Sequence, residues 1–246
     1  MGKDFVKELQ KIKNVDEIWM IARRKERLKA MESKGNGKLR SFPLDLTDKK
    51  VFDHLGEILT SENPKIQYLI NAAGAGRMGK VETISGEDHA FVLDLNVKAL
   101  TCMTRTCLPY MARGGRIIQL CSGSAFLPQP EFASYAASKA YVLSFSRALG
   151  QEVKNRGITV TAVCPGPVKT EFFKVAGSEI APAKKRFLVE SEDVVKKALK
   201  DANVGKELSI YGVSMNLIHL AGKILPTKML LSVMNQMMAN KEEQNK

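Results

Sequence analysis

Short apolar, β-branched runs alternate with longer amphipathic segments along the chain, and this alternation constrains the fold more than any other feature. The predicted strands are 17–21, 39–44, 66–70, 116–120, 158–163 and 207–211. The predicted helices are 3–13, 24–33, 48–61, 84–111, 133–155 and 190–203. Strands that alternate with helices form parallel βαβ units. The sequence therefore predicts an α/β fold, a doubly wound parallel sheet with helices on both faces.

The length and the cysteine content limit the class of protein. The chain has 246 residues, 44% of them hydrophobic, which suits one large core and predicts a single domain over 1–246. We expect no secretory signal and no apolar run of the roughly 20 residues that span a bilayer. The cysteines are Cys102, Cys107, Cys121 and Cys164. They lack metal-type spacing and lie in apolar stretches, which favours reduced thiols, a cytoplasmic protein and no metal site.

The net charge of +12 comes from 38 basic and 26 acidic residues. Such an excess is typical of proteins that bind nucleic acid or an anionic membrane. The lysines are scattered through predicted helices and turns, so we expect no nucleic-acid partner. An anionic cofactor or substrate explains part of the excess, and the densest basic run, 23–27, directly follows the first predicted strand.

One trio of residues points to proton-transfer chemistry. Tyr135 and Lys139 stand four residues apart in a predicted helix, which places them on one face. An ammonium near a phenol favours the phenolate and lowers the phenol pKa from about 10, so the tyrosine exchanges protons with a carbonyl or alcohol oxygen. Ser122, which precedes Tyr135 by thirteen residues, would hydrogen-bond the same oxygen. Most Tyr-x-x-x-Lys pairs are an aromatic and a solvated lysine, so the surrounding motifs decide the matter.

Three further motifs occur in order around this trio. They are Asn71-Ala72-Ala73-Gly74, Leu95-Asn96-Val97 and Pro165-Gly166-Pro167-Val168-Lys169-Thr170. Together with the Ser-Tyr-Lys trio they resemble the classical short-chain dehydrogenase/reductase family, over a stretch from Gly2 to about Tyr211. The resemblance implies a Rossmann-like single domain and an oxidoreductase that moves a hydride between nicotinamide and a carbonyl or secondary alcohol.

The resemblance also implies catalytic roles. Tyr135 would be the general acid in reduction, and Lys139 would bind the nicotinamide ribose and lower the pKa of that tyrosine. Ser122 would orient the substrate oxygen, with Ser124 as a rival that the thirteen-residue interval disfavours. Asn96 would bend its helix and hold a water molecule next to the lysine.

A nicotinamide-cofactor site follows from the same resemblance. The implied contacts are Gly2, Arg23, Arg24, Asp45, Leu46, Asn71, Ala72, Ala73, Gly74, Tyr135, Lys139, Pro165, Gly166, Val168 and Thr170. Two of these have structural alternatives: Asn71 ties neighbouring strands together or contacts the cofactor, and Asp45 caps a helix or lies near the adenine. Members that use NAD end the second family strand with an acid, but here that position holds Arg23. A guanidinium pairs with a 2′-phosphate, so NADP(H) is favoured over NAD(H).

The beginning of the chain departs from the family pattern. Family members open with a strand and a T-G-x-x-x-G-x-G turn, whereas this sequence opens at Gly2, in the place of the last glycine. The first strand and most of the phosphate-binding turn are therefore expected to be missing. Either the start codon is misassigned, or the chain is truly short and its sheet has an unfilled slot. Loss of the glycines motivates an alternative function, a catalytically silent Rossmann-like binding protein.

The sequence gives little information about the substrate and the partners. Seven apolar residues near the site suit a hydrophobic ketone or alcohol, or are simply core: Ala125, Phe126, Leu127, Phe132, Phe172, Phe173 and Val175. The segment 170–187 is expected to form a lid. Helices 84–111 and 133–155 predict a homodimer or homotetramer, as the resemblance implies. The extension 213–246 is amphipathic and is expected to pack on its own domain or a sister subunit, with membrane contact the least favoured reading.

Overall fold

The computed structural model describes residues 1–177 and 188–244. Its strands are β1 (Ile18–Ile21), β2 (Leu39–Phe42), β3 (Ile66–Asn71), β4 (Met111–Leu120), β5 (Thr159–Val163) and β6 (Leu208–Ser209). Its helices are α1 (Gly2–Leu9), α2 (Lys25–Glu32), α3 (Val51–Glu62), α4 (Gly86–Leu93), α5 (Leu100–Cys107), α6 (Ala133–Glu152), α7 (Phe172–Val175), α8 (Ser191–Asn203), α9 (Val213–Ile224) and α10 (Thr227–Gln244). Each hydrogen-bonded pair of neighbouring strands is parallel, which confirms the predicted α/β class.

The core lies in layers on both faces of the sheet. Successive side chains of a strand point to opposite faces, and β4 is buried on both. Ile118 and Leu120 join a cluster with α1 and α8, while Ile117 joins a second cluster with α3, α5 and the end of α6. Helices therefore cover both faces, as a doubly wound sheet requires.

The described strands form two hydrogen-bonded sheets. One contains β1 and β2, and the other has the order β3–β4–β5–β6. No ladder joins β1 to β3 within 1–177 and 188–244. Gln67 of β3 is exposed and Tyr68 and Ile70 are only half-buried, whereas Ile117 and Ile118 of β4 are fully buried. Strand β3 is thus an edge strand here.

The predicted helix 84–111 is not continuous. Helix α4 passes into a π-helical segment, Asp94–Ala99, then into α5 and a 3-10 turn, Leu108–Tyr110. The widened turn contains Asn96, which is completely buried. Hydrophobic periodicity does not distinguish a π-turn from an α-turn, so the sequence could not locate this break, although such turns are frequent at functional sites.

Other boundaries differ for local reasons. Strand β2 ends before Pro43, whose ring nitrogen has no hydrogen to donate to a ladder. The extension divides into α9 and α10 at Leu225, which is extended because Pro226 follows it. Residues 170–177 of the expected lid, which include α7, are described, and 178–187 lie outside the described residues. In the described ranges no helix is both long and apolar enough to cross a bilayer.

Candidate active site

Ser122, Tyr135 and Lys139 meet beyond the carboxyl end of β4. Helix α6 turns Tyr135 and Lys139 toward the sheet, where both are buried. The Ser122 hydroxyl lies close enough to the Tyr135 phenol to oppose the rise of its pKa, and it accepts a hydrogen bond from the Ser124 backbone N–H at 3.1 Å. The hydroxyl of Ser124 instead donates to Gln129 at 3.2 Å. The geometry therefore favours Ser122 over Ser124 as the partner of the phenol.

Lys139 lies between the tyrosine and the turn that follows β3. Its Nζ is 5.6 Å from the centre of the Tyr135 ring and donates to the Leu120 carbonyl at 2.8 Å. A Cβ built on Gly74 would lie 3.5 Å from this Nζ and 3.2 Å from Asn96 Oδ1. The backbone of the turn thus approaches the lysine closely, with little room for a side chain at position 74.

Asn96 fastens the loop after β3 to α6. Its Nδ2 donates to the Ala75 carbonyl at 2.8 Å and to Ser138 Oγ at 2.9 Å, and its Oδ1 accepts from the Ala75 N–H at 2.9 Å. All of its side-chain polar atoms are therefore engaged by protein groups. The buried Asn96 side chain thus connects the loop after β3 to α6 beside Lys139.

The ionisation of the pair differs from the sequence expectation. Burial raises the pKa of Tyr135 well above its ordinary value, against the opposing effect of the hydrogen bond from Ser122. Burial also lowers the pKa of Lys139. The expectation that Lys139 lowers the pKa of Tyr135 is wrong for this conformation, because desolvation dominates and the ammonium is directed at the Leu120 carbonyl.

Aromatic rings cover the tyrosine. Phe132 stacks on Tyr135 with ring centres 4.3 Å apart, and Phe172 of α7 lies 5.2 Å away. A Cβ on Gly76 would come within 2.9 Å of both phenylalanine rings. The two rings therefore fill the space between the tyrosine and the loop after β3, which explains the burial of the phenol.

Arg23 follows the carboxyl end of β1. Its guanidinium lies 3.9 Å from Asp45 and 5.4 Å from the centre of the Phe91 ring. Asp45 accepts hydrogen bonds from the backbone N–H and the hydroxyl of Thr47 at 2.9 and 2.8 Å. Burial alone would raise the pKa of Asp45, but these hydrogen bonds and Arg23 hold it below its ordinary value.

The helix-capping alternative for Asp45 is wrong. Helix α3 begins at Val51, and its capping position is Lys50, five residues beyond the aspartate. Asp45 instead closes a local turn with Thr47. The neighbouring Leu46 is half-buried against the cluster formed by α3 and α5.

Arg24 and Arg27 converge on one carboxylate. Arg24 Nη1 lies 3.3 Å from Glu171, and Arg27 Nη1 lies 2.9 Å from the same Oε2 atom. Arg27 and Arg24 hold the pKa of Glu171 below its ordinary value. The sequence reasoning missed Arg27, although its spacing of three residues from Arg24 at a helix start was a usable signal.

Asn71 ties strands together. Its Nδ2 donates to Thr104 at 3.0 Å and to the Gln119 side chain at 2.9 Å, within the buried layer between α5 and β4. The structural alternative therefore accounts for both of its observed bonds. Beyond it, Ala72 is half-buried while Ala73 and Gly74 are exposed.

Helix α1 begins beside this turn. A Cβ on Gly2 would lie 3.7 Å from the Ala72 side chain. The first backbone N–H groups of a helix have no partner within the helix and carry partial positive charge. The amino end of α1 and the turn after β3 are thus brought together.

The Pro-Gly turn after β5 lies against the serine loop. The Gly123 N–H donates to the Pro165 carbonyl at 2.9 Å. A Cβ on Gly166 would meet the Met215 sulfur at 2.9 Å, and Gly123 also contacts that methionine. Met215 of α9 therefore supports the loop that carries Ser122, a role that the sequence did not reveal.

The end of this turn leads into α7, which carries Phe172. Val168 is buried and forms a parallel bridge with Val189. Thr170 Oγ1 accepts from the Phe172 N–H at 3.4 Å. Thr170 therefore joins the predicted nicotinamide-amide segment directly to α7.

An apolar cleft of about 400 Å³ opens beside the serine loop. It is lined by the loop 124–130, by alanines on one face of α6, and by Leu231. Of the seven apolar residues singled out in the sequence, Ala125, Phe126 and Leu127 line this cleft. Phe132 and Phe172 cover the tyrosine instead, Phe173 packs edge-on against Phe172, and Val175 is exposed.

Known proteins resemble this chain in both sequence and fold. The family model described as short chain dehydrogenase matches residues 1–181. The short-chain dehydrogenase from Sphingobium yanoikuyae in complex with NADPH has 26% sequence identity and a TM-score of 0.77, covering 94% of this chain and 91% of that one.

Curated relatives match a shorter stretch. Nodulation protein G of Rhizobium meliloti is 30% identical over 147 residues, which are 59% of this chain and 60% of that protein. The 3-oxoacyl-acyl-carrier-protein reductase FabG of Thermotoga maritima is 31% identical over 136 residues, 54% of this chain and 55% of that protein. The match thus spans little more than half the length of these relatives.

Proposed function

Because the chain belongs to the short-chain dehydrogenase family, whose members are oxidoreductases that use nicotinamide cofactors, we propose that it is an NADP(H)-dependent oxidoreductase. The reaction would move a hydride between the nicotinamide and a carbonyl or secondary alcohol of a hydrophobic substrate. The observation that carries the proposal is the convergence of Ser122, Tyr135 and Lys139 beside the close backbone approach at Gly74.

The residues present fit an anionic dinucleotide. The amino end of α1 at Gly2 suits a pyrophosphate, and the turn 71–74 offers backbone rather than bulky side chains. Arg23, Arg24 and Arg27 gather positive charge after β1. Asp45 and Leu46 would lie near the adenine, and the Pro165–Thr170 segment near the nicotinamide amide.

The chemistry divides between the cofactor and the chain. Nicotinamide, when bound, would supply the hydride that reduces the carbonyl carbon. Tyr135 donates a proton to the carbonyl oxygen, and Ser122 hydrogen-bonds that oxygen and orients it. Lys139 would bind the ribose, and its ammonium would return a proton to the Tyr135 phenolate and regain one from solvent.

Two groups must move before this chemistry proceeds. Phe132 and Phe172 have to withdraw from Tyr135, because a buried phenol with a raised pKa neither meets substrate nor exchanges protons with solvent. The apolar lining of the cleft beside the serine loop supports a hydrophobic substrate.

The arginines support NADP(H) over NAD(H). A carboxylate after β1 would repel a 2′-phosphate, whereas guanidinium groups bind it through charged hydrogen bonds. Arg24 and Arg27 already donate hydrogen bonds to the Glu171 carboxylate. The arginines are thus arranged around an anion in this structure.

The two separate sheets favour a further strand between β1 and β3. A parallel strand there would pair both unpaired edges and bury the half-exposed side of β3. Such a strand, followed by a glycine-rich turn, would complete the phosphate-binding site ahead of Gly2. An in-frame strand and Thr-Gly encoded upstream of the Met1 codon would support this; a stop codon directly upstream would count against it.

The oligomeric state and the cellular location of the chain are further parts of this proposal. A homodimer or homotetramer would form through α4–α5 and α6, and light scattering on the purified chain measures it. A cytoplasmic location agrees with four free thiols.

A catalytically silent binding protein is the second candidate. The observation that favours it is the burial of Tyr135 beneath Phe132 and Phe172. Tyr135→Phe distinguishes the two: in a carbonyl panel assayed by NADPH consumption, the enzyme should lose about 10²–10⁴-fold in kcat/KM. Tyr141→Phe, on the same helix and bonded to Thr101 at 2.9 Å, is the matched control. Undiminished turnover in Tyr135→Phe would remove the proposed acid, and no turnover in the unmodified chain would favour the silent protein.

A further inference from the structure

The outer face of α9 carries large apolar side chains where a surface helix normally carries polar ones. Val213, Leu217, Leu220 and Ile224 are 78, 61, 52 and 68% exposed. At 100° per residue they lie within about 60° of one another around the helix. They form one continuous ridge, the outer stripe of α9. Contiguous apolar ridges of this kind mark interaction surfaces rather than ordinary exposed residues.

The opposite face of α9 is already used. Met215 is buried against Gly123 and Gly166, and the His219 ring lies 4.3 Å from the Phe126 ring. Packing against the chain's own domain therefore accounts for the inner face only. Because these contacts fix the rotation of the helix, the outer stripe cannot turn inward.

The surroundings of the stripe are apolar or basic. Leu225 and Met229 extend it past the helix break, with exposures of 38 and 55%. Lys223 and Lys228 are exposed beside it. The sequence from 208 to 240 contains no aspartate or glutamate. A partner for this surface must therefore accept apolar side chains and favour positive charge.

We infer that the outer stripe of α9 docks on the surface of an anionic phospholipid bilayer, along which the helix lies without crossing it. An interfacial helix buries its apolar face at the boundary of headgroups and acyl chains, while flanking lysines reach the anionic headgroups. The helix Val213–Ile224 would present about 18 Å of length to that boundary.

A second copy of this chain fits the stripe less well. A two-fold contact repeats the same surface on both subunits. It would bring two sets of Lys223 and Lys228 together, with no acidic residue from 208 to 240 to pair with them. An anionic bilayer supplies the missing negative charge.

The bilayer would lie beside the proposed substrate cleft. Phe126, against which His219 packs, also lines that cleft. A hydrophobic substrate dissolved in the bilayer would then be held close to it, a consequence that rests on the proposed function. The docking itself does not require the reaction, and its test uses no turnover.

Vesicle flotation with the full purified chain tests the docking. We expect the chain to float with vesicles that contain phosphatidylglycerol, more weakly at high salt, and much less with pure phosphatidylcholine. The double variant Leu217→Glu/Leu220→Glu should bind at least about tenfold more weakly, since burial of even one leucine changes an equilibrium by about tenfold or more. Lys223→Glu/Lys228→Glu should lose the preference for anionic vesicles.

Val81→Glu and Val204→Glu are the matched controls, since both valines are exposed apolar residues outside the stripe, and both variants should float like the unmodified chain. Thermal unfolding of every variant verifies the fold. Absence of flotation of the unmodified chain with anionic vesicles would overturn the inference. It would equally be overturned if the leucine variants split an oligomer in light scattering and left vesicle binding unchanged, because the stripe would then be a subunit interface.

Discussion

Asn71→Ala separates the two roles that the sequence left open for this residue. The side chain donates two hydrogen bonds in a fully protein-lined environment, to Thr104 and to Gln119, whose side chain is completely buried. Truncation removes both bonds and leaves the Gln119 carbonyl oxygen without its donor. An unsatisfied buried acceptor costs about 1–3 kcal/mol, and each lost bond about 0.5–1.5 kcal/mol.

The lost bond to Thr104 and the unsatisfied Gln119 oxygen together give an expected loss of unfolding free energy of about 1.5–4.5 kcal/mol. For a chain of this size each kcal/mol lowers Tm by about 2–4 °C, so Tm should fall by about 3–18 °C. Thermal and urea unfolding measure it directly. Gln67→Ala, at an exposed position of the same strand, is the control and should stay within about 0.5 kcal/mol. An unchanged Tm together with a large loss of NADPH affinity would refute the structural role and restore direct cofactor contact.

Three further perturbations test other parts of the site. Phe172→Ala should uncover Tyr135 and let its pKa fall from its raised value toward the ordinary value of about 10. Phenolate absorbance in a pH titration measures this change, with Tyr135→Phe identifying the signal of Tyr135. An unshifted titration would mean that Phe172 does not cause the burial of the phenol. Glu171→Gln should free Arg24 and Arg27 and tighten NADPH binding by about 1.4- to 5-fold without affecting NADH, and an equal effect on both cofactors would contradict the phosphate assignment. Burial would raise the pKa of Asp201, but Lys197, Ser209 and Lys206 hold it below its ordinary value. The stabilisation it provides is therefore present above about pH 4 and lost as pH falls through the folded-state pKa; urea midpoints from pH 6 to 3 should fall less steeply in Asp201→Asn, and identical slopes would exclude this contribution.

The sequence predicted that Ser122, Tyr135 and Lys139 would lie together because that arrangement depends on local rules. A spacing of four residues places Tyr135 and Lys139 on one helix face, and a parallel sheet collects strand ends such as Ser122 at one edge. These rules operate over a few residues or through the topology, and the structure follows both.

The features that the sequence could not specify depend on contacts between distant segments. The sequence predicts a lid over 170–187 but not the contact of Phe172 with Tyr135, and the carboxylate that binds Arg27 comes from Glu171, 144 residues away. Burial, rather than the neighbouring ammonium, then sets the pKa of the phenol. Spacing within one helix could not indicate how much water the fold would exclude from it.

The outer stripe of α9 shows a similar limit. The sequence identified an amphipathic extension but not which of its apolar residues would face inward. The contact of Met215 with Gly123 decides this, and it leaves Leu217 and Leu220 on the opposite side. Periodicity left open whether the extension packs on its own domain or on a sister subunit, and the helix carries apolar residues on two faces.

Isotope transfer tests the central claim most directly. The chain is incubated with a hydrophobic ketone and NADPH that carries deuterium at both positions of the nicotinamide C4, and the alcohol product is analysed by mass spectrometry. We predict a carbon-bound deuterium in the product, with the rate lowered by about 10²–10⁴-fold in Tyr135→Phe and unchanged in Tyr141→Phe. Product that carries no deuterium on carbon, or equal rates in Tyr135→Phe and the unmodified chain, would contradict hydride transfer coupled to proton donation by Tyr135.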